Sequence, residues 1–340
     1  MIDKDNNRTD RVSSNSDIAS GSIEGHVSTD DQNKKEFTLD KPIALFIYNR
    51  PSHTDQVLNR IKQVKPPKLL VVADGPKNKS DQEMCRQTRQ LISQRECQFP
   101  VEKNFASTNL GLPDRFTTGL DWVFDKVPEA IILEDDIIPE PSFFRFCQVL
   151  LDRFRDDNRV MEITGRNQLE RWKSGEYDYH FSYYGGIWGW ATWREDWEKY
   201  EQEISLWNDT TVKNRIRDVI ADEDQFRYLQ RIYDMTQSDE INSWAYRWGF
   251  ARHINNGLSV VPSKNLVKNI GFGEGATNTT STSNGFANKE TYEMSFPLTH
   301  PPFVAPDREY DRRFHELRQT RSKPRRILDA LLDTTGIKKL

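Results

Sequence analysis

Three aliphatic runs constrain this chain more than any other feature: Ile43-Ala44-Leu45-Phe46-Ile47-Tyr48, Leu69-Leu70-Val71-Val72-Ala73 and Ala130-Ile131-Ile132-Leu133. None alternates apolar with polar residues, so each reads as a strand buried on both faces, the pattern of a parallel sheet held between helices. Helical spacing fills the intervals. After Ser52, the residues Val57, Leu58, Ile61 and Val64 share one face, and Asp81 to Ser93 reads as a second helix. Asn109-Leu110-Gly111 turns into a helix carrying Phe116, Leu120, Val123 and Phe124, and Ser142 to Phe154 is helical again. Val101 to Phe105 is a short alternating strand and Val160 to Thr164 another. Strand and helix therefore alternate, which predicts an α/β fold with a mainly parallel sheet flanked by helices.

In an open sheet of this kind ligands bind in the crevice outside the carboxyl ends of the strands. What leaves those ends is informative. The first run is followed by Asn49-Arg50-Pro51, the second by Asp74-Gly75-Pro76 and the third by Glu134-Asp135-Asp136. Clustered carboxylates repel one another and call for a cation. Oxygen ligands suit Mg²⁺ or Mn²⁺, which in turn suit a diphosphate. An acidic triplet can also do no more than lead into the next helix. Arg50 can pair with a phosphate or shape a base pocket, and Asp74 can accept from a base N–H or a ribose hydroxyl. Neither G-x-G-x-x-G after the first strand nor G-x-x-x-x-G-K-[ST] anywhere is present, so the dinucleotide and P-loop readings lose their fingerprints.

The chain has 48 basic and 52 acidic residues and a net charge of -4, which argues against nucleic-acid binding. Cys85, Cys97 and Cys147 lack metal-ligand spacing and fit a reducing compartment. No apolar run approaches the roughly 20 residues of a membrane span, and the expected location is the cytoplasm. Residues 1–36 are rich in Ser, Asp, Asn and Gly and have too little apolar surface to offset ordering entropy, so they read as a disordered tail. Eight of the nine tryptophans fall between Trp172 and Trp248. Core packing claims most of them. In Gly185-Gly186-Ile187-Trp188-Gly189-Trp190, however, glycines admit close backbone approach, and Trp188 and Trp190 can wall a pocket. From Gly271 to Gly285 the chain is poor in aliphatic residues and reads as a loop that could cover a site. Residues 316–340 read as a basic amphipathic helix, able to lie on the inner face of an anionic membrane or to dock on its own domain.

Taken together, these segments resemble glycosyltransferases of the GT-A class, a Rossmann-like fold, and more narrowly the inverting N-acetylglucosaminyltransferases with EDD in place of D-x-D and their bacterial relatives. The resemblance rests on Ile43 to Pro51, Val72 to Gly75, Ile132 to Ile137, Pro141 to Phe144, Gly186 to Trp190 with Trp197, and Asn242-Ser243-Trp244, and it spans roughly residues 41–280. It implies a GT-A domain over 37–315, with a nucleotide-sugar half (37–165) and an aromatic-rich acceptor half (166–315). It also implies that Asp136 binds Mn²⁺ or Mg²⁺, that Glu134 and Asp135 contact the donor sugar and ribose, and that Arg50 and Asp74 line the uridine pocket. The partners implied are a UDP-sugar, such as UDP-N-acetylglucosamine, and a glycan or lipid-linked acceptor. Inverting transfer needs a general base. The family places an acid before the tryptophan, where this chain has Asn242 and Ser243, so Asp239 and Glu240 just upstream become the candidates, with Glu274 in the loop a third. Asn278 also stands where the family has histidine. A non-catalytic sugar- or nucleotide-sugar-binding module and a sugar nucleotidyltransferase are the alternative readings.

Overall fold

The three aliphatic runs lie side by side in one sheet. They are β1 (Ile43–Ile47), β2 (Leu69–Ala73) and β4 (Glu129–Glu134), and both β1 and β2 are buried along their whole length. This computed structural model describes residues 37–94, 98–272 and 289–319. The expected tail over 1–36, Cys97, the loop from 273 to 288 with Glu274 and Asn278, and residues 320–340 lie outside the described residues.

Helices follow the strands as the spacing requires. After β1, α1 (Pro51–Val64) has proline in its first turn and buries Val57, Leu58 and Ile61. Proline suits that position because its missing N–H has no partner to lose. Then come β2, α2 (Lys79–Gln94), β3 (Val101–Phe105) and α3 (Leu112–Lys126), which buries all four apolar residues expected of it, Phe116, Leu120, Val123 and Phe124. After β4 come β5 (Ile137–Pro139), α4 (Pro141–Phe154) and β6 (Val160–Thr164). The second half contributes β7 (Tyr179–Ser182), β8 (Trp190–Trp193), α5 (Arg194–Trp197), α6 (Thr210–Ile220), α7 (Glu223–Gln237), α8 (Trp244–Ile254), β9 (Leu258–Pro262) and β10 (Val267–Asn269).

The main sheet has eight strands in the order β3-β2-β1-β4-β8-β6-β9-β7. β1, β2, β3 and β4 are mutually parallel, β6 and β9 are parallel, and β8 and β7 run against their neighbours. The fold is thus α/β with a mainly parallel central sheet flanked by helices, as in Rossmann-like proteins. The chain moves outward from β1 to β3 and then returns to place β4 on the other side of β1. Strand order reverses between β1 and β4, and such a reversal opens a crevice at the carboxyl ends.

The expected halves, 37–165 and 166–315, share this sheet: β8 pairs with β4 on one side and β6 on the other. An aromatic stack crosses the same boundary. Phe46 stacks on Phe116 at 4.1 Å, Phe116 on Trp244 at 3.8 Å, and Trp190 lies 6.0 Å from Trp244. Such pairs each add about 0.5–1.5 kcal/mol beyond burial, so the halves are bound through their cores. A helix over 308–319 runs unbroken across the expected boundary at 315/316. Among the described residues no helix is long and apolar enough to cross a membrane.

Candidate ligand crevice at the strand-order reversal

Because β1 and β4 are parallel neighbours in register Phe46↔Glu134, the residues leaving them emerge together. The Tyr48 amide donates to Asp135 Oδ2 at 3.1 Å. Arg50 Nη1 donates to Asp136 Oδ2 at 2.7 Å and lies 3.5 Å from Asp135 Oδ1. Sequence residues Arg50, Asp135 and Asp136 therefore meet, with Glu134 at the strand end beside them. Three carboxylates face one guanidinium, and the shortfall shows in their protonation. Burial pushes the Asp135 carboxyl up to about 7, reinforced by the charge of Asp136 and opposed by Arg50. Glu134 is pushed well above its ordinary value by burial and then by Asp136 and Asp135, again against Arg50.

The small sheet formed by β5 and β10, paired Asn269↔Ile137, brings a distant segment onto this cluster. The Ile270 amide donates to the Asp136 carbonyl at 2.9 Å. A Cβ at Gly271 would collide with the Asp136 carboxylate. Any larger residue here would force the Asp136 side chain to shift. Further along the chain, Glu293 accepts from the Ser142 amide at the start of α4 (3.1 Å), and the Tyr292 amide donates to the Asn265 carbonyl.

Among the described residues no three His, Cys, Asp or Glu side chains are arranged as a metal cage. The donor set still fits a magnesium-type ion, which takes one or two carboxylates and completes its shell with substrate phosphates and water. Asp136 is the more open aspartate, at 15% side-chain exposure against 8% for Asp135. An added cation would hold both neighbouring carboxyls ionised. The cation demanded by carboxylate repulsion is supplied in part by Arg50 itself.

Asp74 plays a different part from the one its position implied. Its Oδ1 accepts from the amides of Gly75 (2.8 Å) and Leu110 (2.9 Å), and its Oδ2 from Gly111 N (3.0 Å) and Asn109 Nδ2 (2.9 Å). Four protein donors exhaust a carboxylate's ordinary acceptor sites. Asp74 thus clamps the turn before α3, where Gly111 takes φ 82. The polar floor between β1 and β2 comes from a residue sequence reading missed, Asp81, which accepts from Tyr48 Oη (3.0 Å) and Asn49 Nδ2 (2.9 Å). Burial and Asp81 raise the Tyr48 hydroxyl to about 12. Nothing in the spacing of Asp81 distinguishes it from an ordinary first-turn helix acid.

The two indoles expected to wall a pocket part company. Trp190, fully buried on β8, belongs to the core stack and not to a pocket wall, because a central strand directs it between sheet and helices. Trp188 is half-buried, packs edge-on against Phe272 at 5.7 Å and lies under the Arg166 guanidinium at 4.8 Å. Through Phe272 and Gly271 it is linked to Asp136. It also lines a cavity of about 180 Å³ between the segment 183–188, α7 and α8. Asp239 and Glu240 sit on the exposed turn before α8, Asp239 with φ 59 and an ion pair to Arg247 at 3.3 Å, and Glu240 accepting from Ser238 at 3.0 Å. Neither has a contact with the acidic triplet.

No known family model and no curated protein matches the chain. Among solved structures it is similar to A197 from STIV, with 11% identity over 49% of this chain and 72% of the other and a TM-score of 0.27. It is also similar to 4-diphosphocytidyl-2C-methyl-D-erythritol synthase from Anaerococcus prevotii, with 12% identity over 47% and 75% of the two chains and a TM-score of 0.29.

Proposed function

We propose that the chain transfers a sugar from a UDP-sugar to a hydroxyl-bearing glycan or lipid-linked acceptor with inversion, using Mn²⁺ or Mg²⁺. One observation carries the reading: Arg50, Asp135 and Asp136 converge at the reversal of strand order, where an open α/β sheet receives its ligand. Asp136 is the residue that would hold the ion, and a bound divalent cation would supply Lewis-acid neutralisation of the departing diphosphate. Arg50, freed from Asp136, is placed to pair with a phosphate oxygen. Asp135 fixes the Tyr48 amide and with it the path of the chain after β1. Transfer is one displacement: the acceptor oxygen bonds to the anomeric carbon as the bond to the diphosphate breaks. The acceptor proton passes to a carboxylate, for which Asp239 and Glu240 remain the candidates at the entrance to α8.

The pairing of Asp239 with Arg247, and the amide of Asn242 bound to the same arginine at 2.9 Å, favour a second reading. In it the crevice binds nucleotide sugars without transfer. Calorimetric titration of UDP with and without Mn²⁺, followed by slow UDP-sugar hydrolysis, tests both. Asp136→Ala is expected to abolish the Mn²⁺-dependent part of UDP binding while leaving the melting temperature in place. Metal-dependent affinity that survives this substitution removes Asp136 from the site. Binding without any hydrolysis selects the second reading.

A further inference from the structure

The cavity beyond Trp188 has a composition that the donor crevice does not explain. Its walls are largely aromatic: Tyr184 and Trp188 from one side, Tyr228 from α7, and Tyr246 and Trp248 from α8. At about 180 Å³ it falls below the roughly 300–1,000 Å³ of sites that enclose a drug-sized molecule. It is sized for one ring and not for a chain.

Its floor is built and electrically closed. Glu162, fully buried on β6, accepts from Trp248 Nε1 (2.7 Å), the Gly186 amide (3.0 Å) and Ser259 Oγ (2.9 Å), and faces Arg252 Nε at 3.5 Å. These bonds fix one indole wall and the glycine backbone. They take three of the carboxylate's about four acceptor sites, and its charge faces that of Arg252, whose Nε makes no hydrogen bond among the described residues. His253 is neutral, since burial pulls its imidazole down to about 3.

Buried Arg252 Nε and Gln168 Oε1 in the lining have no hydrogen-bond partner among the described residues. Both atoms are closed off even from water, so neither is open to a ligand. Arg318, on the helix over 308–319, is ringed by Tyr184, Tyr228 and Phe314 at 5.3, 5.7 and 4.2 Å, and among the described residues it makes no ion pair. The lining therefore carries one positive charge without an ion-pair partner among the described residues, beside aromatic faces.

We propose that this cavity is the acceptor subsite, taking a single pyranose ring that bears a carboxylate or a phosphate, with the ring against the aromatic walls and the anionic group on Arg318. The acceptor role rests on the sugar-transfer reading. Trp188 lines the cavity and packs on Phe272, the chain neighbour of Gly271 at Asp136, which relates the subsite to the donor crevice.

Glucuronic acid, glucose 6-phosphate and glucose serve as probes, titrated by saturation-transfer NMR, with UDP and Mn²⁺ titrated in parallel on every protein. Gly249 lines the cavity from α8, and a Cβ there meets only Tyr233 Oη at 3.7 Å, an ordinary contact. Gly249→Leu therefore fills the space while favouring the helix, and its melting temperature should not fall. In the parent, at least one anionic sugar should bind about fivefold tighter than glucose, the scale of a half-exposed ion pair, and the stronger of the two names the group. Arg318→Met should erase that preference and Gly249→Leu all sugar binding, with UDP affinity unchanged in both. Equal affinity for glucose and both anionic sugars, sugar binding that persists in Gly249→Leu, or no sugar binding by protein that binds UDP would each overturn the proposal. If UDP does not bind while the sugars behave as expected, the transfer reading falls and the cavity stands as an anionic-sugar site.

Discussion

Replacing Arg50 by methionine separates two roles that one guanidinium holds in the crevice. It donates to Asp136 at 2.7 Å, so a metal ion approaching that carboxylate must displace or share it. Unit charges about 4 Å apart attract by about 4 kcal/mol at an effective dielectric constant near 20, and desolvation offsets much of that. A charged hydrogen bond nets about 1.5–3 kcal/mol. If half of this opposes the metal, Arg50→Met should bind Mn²⁺ alone about tenfold more tightly, since 1.4 kcal/mol is a factor of ten. With Mn²⁺ saturating, the same variant should bind UDP about tenfold more weakly, because the phosphate loses its charged donor. The two constants move in opposite directions, which a simple folding defect cannot produce. Electron paramagnetic resonance of free Mn²⁺ gives the first and calorimetry with UDP the second. Should Mn²⁺ affinity without nucleotide stay constant or drop in Arg50→Met, the arginine does not compete with the metal for Asp136.

Gly271→Ala should lower Mn²⁺-dependent UDP affinity about tenfold without unfolding the protein, because the added methyl collides with the Asp136 carboxylate while the Ile270–Asp136 backbone bond stays; unchanged affinity in this variant would mean that the Asp136 side chain has freedom to move aside. His253, fully enclosed between Tyr233 Oη at 2.7 Å and the Tyr183 carbonyl at 3.0 Å, is held neutral down to about pH 3. Its folded value lies below the unfolded one near 6.5, so its contribution is intact above 6.5 and fades as pH falls, by about 1.4 kcal/mol per unit. Urea unfolding at pH 7 and pH 5 should show His253→Gln losing about 2 kcal/mol less than the parent over that interval; equal losses would show that the imidazole charges in the folded state.

What the sequence determined by itself was local. Uninterrupted aliphatic runs specified strands covered on both faces, apolar spacing specified α1 and α3 with their buried residues, and the acids after Leu133 marked a strand end rich in charge. These follow from hydrogen bonding and burial within a window of a few residues. Strand order was beyond such a window. That β4 returns to pair with β1, and that β8 inserts antiparallel between β4 and β6, follow from which hydrophobic faces fit when every strand is in place. The site inherits this division. Arg50 and Asp136 stood out as residue types at strand ends, but only parallel pairing of β1 and β4 brought them within hydrogen-bond distance. Asp74 looked equally suited to a ligand until four donors from its own chain took its oxygens, and Trp190 looked like Trp188 until its strand proved central. Gly271 reaches Asp136, and Glu162 reaches Trp248 and Ser259, across long stretches of chain through pairings no local pattern encodes. Side-chain chemistry is written residue by residue, whereas which lone pairs remain open to a ligand depends on every neighbour that packing delivers.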